Sequence, residues 1–199
     1  MAIIDPHIKK VDKYSVNKEM IDGGFAVFDK KHDSAYEGQC WPGTSNWVDC
    51  FNPDALKWWK QQFVKNELFA IPNLHLWNDM NEPSVFNGPE ITMPKDSLHY
   101  DNWEHRDVHN LYGLTFHQAT YLAMVERLGK GKEQRPFVLT RAFFGGIAEE
   151  TANIGASEGH SCDSLVERLG KGKEQRPFVL TRAFFAGSQR SAASWTGDN

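Results

Sequence analysis

Residues 71–83 read Ile71-Pro72-Asn73-Leu74-His75-Leu76-Trp77-Asn78-Asp79-Met80-Asn81-Glu82-Pro83. A short apolar run closes on a tryptophan and passes at once into an acidic, amide-rich turn. Such a run is a strand candidate, and Pro83 with Asn87-Gly88-Pro89 forbids continued regular structure. Two other stretches have the same character. Ala2-Ile3-Ile4 is ended by Asp5-Pro6, and Pro136-Phe137-Val138-Leu139-Thr140 is the next strand. Helices fall between them. Asn52-Pro53-Asp54 supplies an N-cap, a first-turn proline and an early acid; Leu56, Trp59 and Phe63 then take one face, and Lys57, Lys60 and Gln61 the other. A second helix is predicted from His109 to Leu128, with Leu111, Leu114, Gln118, Leu122 and Val125 near one stripe and Gly129 as its stop. Short apolar strands alternating with helices predict an α/β fold with parallel strands. The polar residues follow the strands directly, and those positions line the catalytic face of a (β/α)8 barrel. A whole barrel takes roughly 250 residues, so this chain is predicted to be a partial (β/α)8 TIM barrel holding the central strands only. A strand at residue 2 predicts further sequence upstream. Residues 7–51 are polar and aperiodic, apart from an extended stretch at Gly24–Phe28, and read as a loop or insertion ending in Cys40-Trp41-Pro42-Gly43.

Composition narrows the function. The 199 residues include 22 Lys and Arg against 26 Asp and Glu, a net charge of −4. A mildly acidic chain lacks the basic face of a general nucleic-acid binder. No apolar stretch approaches the roughly 20 residues of a membrane helix, and the first residues lack the pattern of a signal peptide. Cys40, Cys50 and Cys162 are too few and too scattered for a disulfide framework or a zinc site. The 7 Trp, 13 Phe and 5 Tyr are compatible with a large core and equally with platforms for sugar rings.

One feature is foreign to an old fold. VERLGKGKEQRPFVLTRAFF occupies 125–144 and recurs without a change at 166–185. Ancient structural repeats keep a core pattern rather than every letter, and two copies fall short of a solenoid. The reading is a recent exon-scale duplication or a defect in the predicted gene, with a functional tandem repeat as the alternative. A barrel has one slot per strand, so the two Phe-Val-Leu-Thr strands are expected to compete, with the loser looped out beside the glycine-rich spacer 145–165.

Two tryptophan-bearing strand ends carry carboxylates: Trp77-Asn78-Asp79 and Trp195-Thr196-Gly197-Asp198. Glycoside hydrolysis needs two carboxyl groups, and in a retaining mechanism they lie about 5–5.5 Å apart. Spacing alone leaves a turn or helix-cap role open for each. The run Leu76–Glu90 (LWNDMNEPSVFNGPE), with IIDPHI at 3–8, CWPG at 40–43, EHRDVHN at 104–110, RPFVLTRAFFAGSQR at 176–190 and WTGDN at 195–199, resembles glycoside hydrolase family 31. The resemblance covers nearly the whole chain except the spacer and one repeat copy. It implies a retaining α-glucosidase, with Asp79 as nucleophile and Asp198 as acid/base. It implies Arg182 as the arginine of the glucose subsite, Ile3, Trp41, Trp77, Met80 and Trp195 as its lining, and Glu82 as a structural residue of the turn. Arg141 has the same local context as Arg182, and Arg182 is preferred because its copy runs on into 186–198. The resemblance further implies terminal α-linked glucose on N-glycans as substrate, a non-catalytic β-subunit as partner, the endoplasmic reticulum lumen as location, and no metal or organic cofactor. Gln39 and Ser191-Ala192-Ala193-Ser194 depart from the family pattern.

Other motifs have plainer readings. Gly155-Ala156-Ser157-Glu158-Gly159 fits G-x-S-x-G, but Thr151–Ile154 is a poor strand to lead into a nucleophile elbow. His105 and His109, four apart, read as hydrogen-bonding or capping residues. Trp58-Trp59 reads as core. Two rivals to an active glucosidase are a carbohydrate-binding remnant and a truncated or mis-predicted product without activity.

Overall fold

The predicted strands form, and the register between them sets the geometry of everything else. The computed structural model describes residues 1–65, 69, 71, 73–128 and 136–142, with the backbone alone of two further strands at 179–183 and 192–194. Its elements, in chain order, are β1 (Ala2–Ile4), β2 (His7–Lys9), α1 (Ser15–Asp22), β3 (Gly38–Cys40), β4 (Gly43–Trp47), α2 (Pro53–Lys65), β5 (Leu76–Asn78), α3 (His105–Leu128), β6 (Val138–Ala142), β7 (Val179–Ala183) and β8 (Ala192–Ser194). Five strands make one sheet in the order β1-β5-β6-β7-β8, every pair parallel. Among the described residues this sheet does not close into a barrel; it is an α/β sheet consistent with part of one.

The duplicated strands do not compete. β6 and β7 pair in register, Val138 on Val179, Leu139 on Leu180 and Thr140 on Thr181. A closed barrel fixes its number of slots, whereas the free edge of an open sheet accepts one more strand. Identical sequences then match side by side, and the second copy is intercalated between β6 and β8.

Residues 7–51, read as a loop or insertion, carry regular structure that the sequence pattern does not show. They hold α1 and a small antiparallel sheet in the order β2-β4-β3. Its strands are three to five residues long and largely polar, too short to show a period. What orders them is burial: Met20, Val27 and Trp47 are fully inaccessible.

α3 packs on β5 and β6 of the sheet, and α2 packs on α3. The Asn52 carboxamide accepts the backbone N–H of Asp54 at 2.9 Å and of Ala55 at 3.3 Å, the cap that the sequence predicts. From α2, Trp59 packs on Phe116 of α3 with ring centroids 5.1 Å apart, and its indole N–H donates to Thr120 Oγ1 at 3.2 Å. Trp59 is core, as expected; Trp58 stacks on Phe25 and donates to Glu19. α3 begins four residues before the predicted start. Its first residue, His105, is tied down by tertiary hydrogen bonds that no local pattern announces.

Those bonds form a buried chain. Asp49 accepts from the backbone N–H groups of Phe51 at 3.1 Å and Tyr100 at 2.6 Å, and contacts His99 Nδ1 at 2.8 Å. His99 Nε2 meets His105 Nδ1 at 2.9 Å, and His105 Nε2 meets His109 Nδ1 at 2.7 Å. With neutral rings, the acceptor-only carboxylate fixes every tautomer: each Nδ1–H donates toward Asp49. The chain joins the loop after β4, the segment before α3 and the first turns of α3.

Burial holds His105 down to about 2, chiefly by desolvation and then by its two histidine neighbours. Burial also lowers His7 and His117 to about 4. The unfolded chain takes up protons on these groups near pH 6.5 and the folded chain does not, so their stabilisation is complete above pH 6.5 and is lost as pH falls. At pH 5 the three together cost on the order of 5 kcal/mol. Thermal melts are expected to show Tm falling by roughly 10 °C between pH 7 and pH 5; a flat profile contradicts the neutral buried histidines.

Candidate active site

Parallel register builds the site. Ile3 pairs with Trp77, which pairs with Leu139. Side chains alternate along a strand, so the next residues on that face are Asp5, Asp79 and Arg141. The ladder runs one step past the strands, because Asp79 N–H donates to Ile4 O at 3.1 Å. Two carboxylates and a guanidinium therefore stand in one row at the carboxyl ends of three adjacent strands.

Arg141 is the hub. Its Nε donates to Glu82 Oε1 at 2.7 Å and its Nη2 to Glu82 Oε2 at 2.6 Å, a bidentate pair. Its Nη1 lies 3.2 Å from Asp79 Oδ1. That contact lacks the direction of a hydrogen bond, since Asp79 Oδ1 is buried without a hydrogen-bond partner. Asp79 and Arg141 side chains are each 17% exposed. Burial opposes the arginine's charge, but Glu82, then Asp79 and Asp5, more than offset it and hold the group above its ordinary value. Glu82, expected to serve the turn, thus holds Arg141.

Asp5 is the fourth member. Burial raises its carboxyl to about 6; the charge of Asp79 adds to this, Arg141 opposes it, and Glu82 adds again. His7 Nε2 lies 3.5 Å from Asp5 Oδ2, while Asp5 Oδ1 and His7 Nδ1 are buried without a hydrogen-bond partner. Among the described residues the Arg141 guanidinium faces three carboxylates, and burial makes Asp5 hold its proton to higher pH than an ordinary carboxyl.

The turn after Asp79 is sharp. Met80 is 3% exposed and adopts φ +55, the left-handed region that side-chain-bearing residues rarely occupy. This conformation lets the chain double back so that Asn81 and Glu82 reach β6. Trp77 is half-buried and Ile3 is exposed on the same face. Trp41 is 71% exposed and meets exposed Phe86 edge to face, centroids 4.7 Å apart. A backbone hydrogen bond from Phe86 N–H to Gln39 O at 2.8 Å holds that aromatic corner together. Burial pushes the thiol of Cys40, before Trp41, up to about 11, with smaller effects from the charges of Asp5, Arg141 and Glu82.

The expected residues divide accordingly. Ile3, Trp41, Trp77, Asp79 and Met80 are described. Arg182 is described in backbone only, at the β7 position next to Arg141. Asp198 and Trp195 lie outside the described residues, as does the G-x-S-x-G stretch. Arg141 beside Asp79 was not distinguishable in the sequence, because both repeat copies share one local context. Chain order was the available signal: the first copy is the first to reach the edge of β5. Asp5, two residues beyond Ile3, enters the row only through strand register, which the sequence alone does not give.

The model of the glycosyl hydrolases family 31 TIM-barrel domain matches residues 1–155 and again 149–199. The two matches overlap inside the spacer, so each contains one copy of the repeat. Glucosidase 2 subunit alpha of Schizosaccharomyces pombe is 49% identical over 153 residues, covering 77% of this chain and 16% of that protein. Neutral alpha-glucosidase AB of Mus musculus is 52% identical over 148 residues, covering 73% of this chain and 15% of that protein. A crystal structure of an ER glucosidase II heterodimeric complex, of a catalytic subunit and the binding domain of a regulatory subunit, matches with TM-score 0.70 and 47% identity over 99% of this chain and 17% of that one. The chain thus spans about a sixth of the length of these relatives. With its acidic row at the ends of parallel strands and a family match across both of its parts, the chain belongs to glycoside hydrolase family 31.

Proposed function

We propose that this chain carries the site of a retaining α-glucosidase, which removes terminal α-linked glucose through a glucosyl-enzyme ester. The observation that carries the reading is Asp79, held at a strand end against Arg141 and facing the side of the sheet that bears Trp77 and Ile3. Asp79 attacks the anomeric carbon as the bond to the leaving oxygen breaks, and that oxygen takes a proton from Asp198. Asp198 then removes a proton from water, which attacks the same carbon and frees Asp79. Arg141 offsets the negative charge around Asp79 and leaves one carboxylate oxygen free of a directed hydrogen bond. Ile3, Trp41, Trp77, Met80 and Trp195 line the glucose subsite, with Arg182 as the second copy of its guanidinium. The name of one structural relative, an ER glucosidase II complex with a regulatory subunit, supports the endoplasmic reticulum as location and a regulatory subunit as partner; N-glycan glucose as substrate follows from the family resemblance.

A second reading has its own observation. β7 separates β6 from β8. An extra strand adds about 4.8 Å across the sheet, comparable with the whole 5–5.5 Å carboxylate separation of a retaining site. In that reading the 199-residue chain binds sugar but does not turn it over.

Three outcomes test these statements. 5-Fluoro-α-D-glucosyl fluoride needs no proton donor, because fluoride leaves unaided. The chain is expected to acquire one covalent glucosyl group on Asp79, seen by mass spectrometry of a peptic digest, and Asp79→Asn to acquire none. Label elsewhere, or an unchanged yield in the variant, rules out the nucleophile. Deletion of residues 145–185 leaves a single repeat copy running into Ala186. Turnover of an aryl α-glucoside is expected to rise at least tenfold; equal rates would dismiss the intercalated strand as the obstacle. The third outcome concerns Asp5. Its folded pKa lies above the unfolded value of 3.8, so its stabilisation is complete below the unfolded value and is lost as pH rises through 6. Asp5→Asn is therefore expected to be more stable than the parent at pH 7.5, by about 2 kcal/mol once solvent screening is allowed for. In urea melts that gap should close at pH 4.

A further inference from the structure

We propose that Asn81 is a positioning residue that sets the guanidinium of Arg141 against Asp79, an inference that rests on Asp79 being the nucleophile. Asn81 is fully buried, two residues after Asp79 and one before Glu82. Its Nδ2 donates to Thr140 Oγ1 at 2.9 Å, Ala142 O at 3.1 Å and Gly113 O at 3.3 Å. Its Oδ1 accepts the Ala142 N–H at 3.1 Å. Thr140 Oγ1 closes the ring by donating to Ala142 O at 3.1 Å.

The geometry of the clamp gives it a consequence beyond stability. Its contacts on β6 fall on residues 140 and 142, the two neighbours of Arg141. With both flanks held, the Cα–Cβ direction of residue 141 is fixed on the opposite face of the strand. The same short turn thus supplies the nucleophile Asp79, the clamp Asn81 and the carboxylate Glu82 that grips the arginine. α3 completes the enclosure. A Cβ on Gly113 would lie 2.7 Å from Ala142 O and 3.0 Å from Asn81 O, so only glycine lets the helix back the junction this closely.

The two identical repeat copies make this clamp decisive. Thr140-Arg141-Ala142 and Thr181-Arg182-Ala183 are indistinguishable as sequence. One Asn81 and one Gly113 hold one of them, and the copy they hold is the one beside β5.

A double-mutant cycle on the full 199-residue chain separates positioning from general support. The readout is the first-order rate of Asp79 labelling at saturating 5-fluoro-α-D-glucosyl fluoride. Asn81→Ala is expected to slow labelling at least tenfold when Arg141 is present, and less than twofold in an Arg141→Ala background. An equal factor in both backgrounds overturns the proposal, because a merely structural residue acts whether or not the arginine is there. Gly113→Ala perturbs the same junction with Asn81 intact and takes the place of Asn81→Ala if that variant does not fold; the same non-additivity is expected. If the parent chain is not labelled, the nucleophile reading has failed, and the clamp is judged by the Arg141 Nε–H resonance. Slow exchange of that proton in the parent, lost in Asn81→Ala with the remaining amide spectrum unchanged, supports the clamp. Retained protection refutes it.

Discussion

Parallel pairing of β1, β5 and β6 without a register slip is the constraint on which the site depends. Side chains on a strand alternate, so a slip of one residue turns every one of them to the other face. With Ile3, Trp77 and Leu139 aligned, Asp5, Asp79 and Arg141 emerge in one row. A slip of β6 alone would turn Arg141 away from Asp79 and Glu82. The register is held twice, by the ladder itself and by Asn81, which joins the turn after β5 to the last residues of β6.

That row is electrostatically expensive. Asp5, Asp79 and Glu82 surround one guanidinium, and Asp5 and Asp79 are largely removed from water. Functional sites commonly gather perturbed groups in this way. The structure divides the roles by environment. Glu82 takes both ends of the guanidinium fork, Asp79 receives only a side contact, and Asp5 relieves the excess charge by holding its proton to higher pH. The left-handed backbone at Met80 belongs to the same arrangement, because it turns Asn81 and Glu82 back toward β6.

Much of this was legible in the sequence, and the exceptions have physical causes. The strands at residues 2–4 and 76–78, the helix from Pro53 with its Asn52 cap, and the core role of Trp59 follow from local pattern. The small sheet inside 7–51 was not legible, because strands such as His7–Lys9 and Gly38–Cys40 are too short to show a period. The early start of α3 was hidden for a related reason: His105 is held by a chain of imidazoles that begins at Asp49, far away in sequence. The repeat misled through topology. Competition for one slot follows from a closed barrel, whereas the sheet formed by the described residues holds both copies side by side.

The sequence by itself determined the chemistry available: a family 31 motif with Asp79 after a tryptophan strand, a second tryptophan–aspartate pair near residue 198, and aromatics in number. It could not rank Arg141 against Arg182, because identical segments carry identical local information. Among the described residues, tertiary structure sets Arg141 beside Asp79, because the copy paired with β5 meets Asn81 and Gly113. It also decided that Asp5 belongs to the cluster. Proximity between residues 5, 79 and 141 is a property of strand register and turn geometry, and neither is written in any one stretch of the chain.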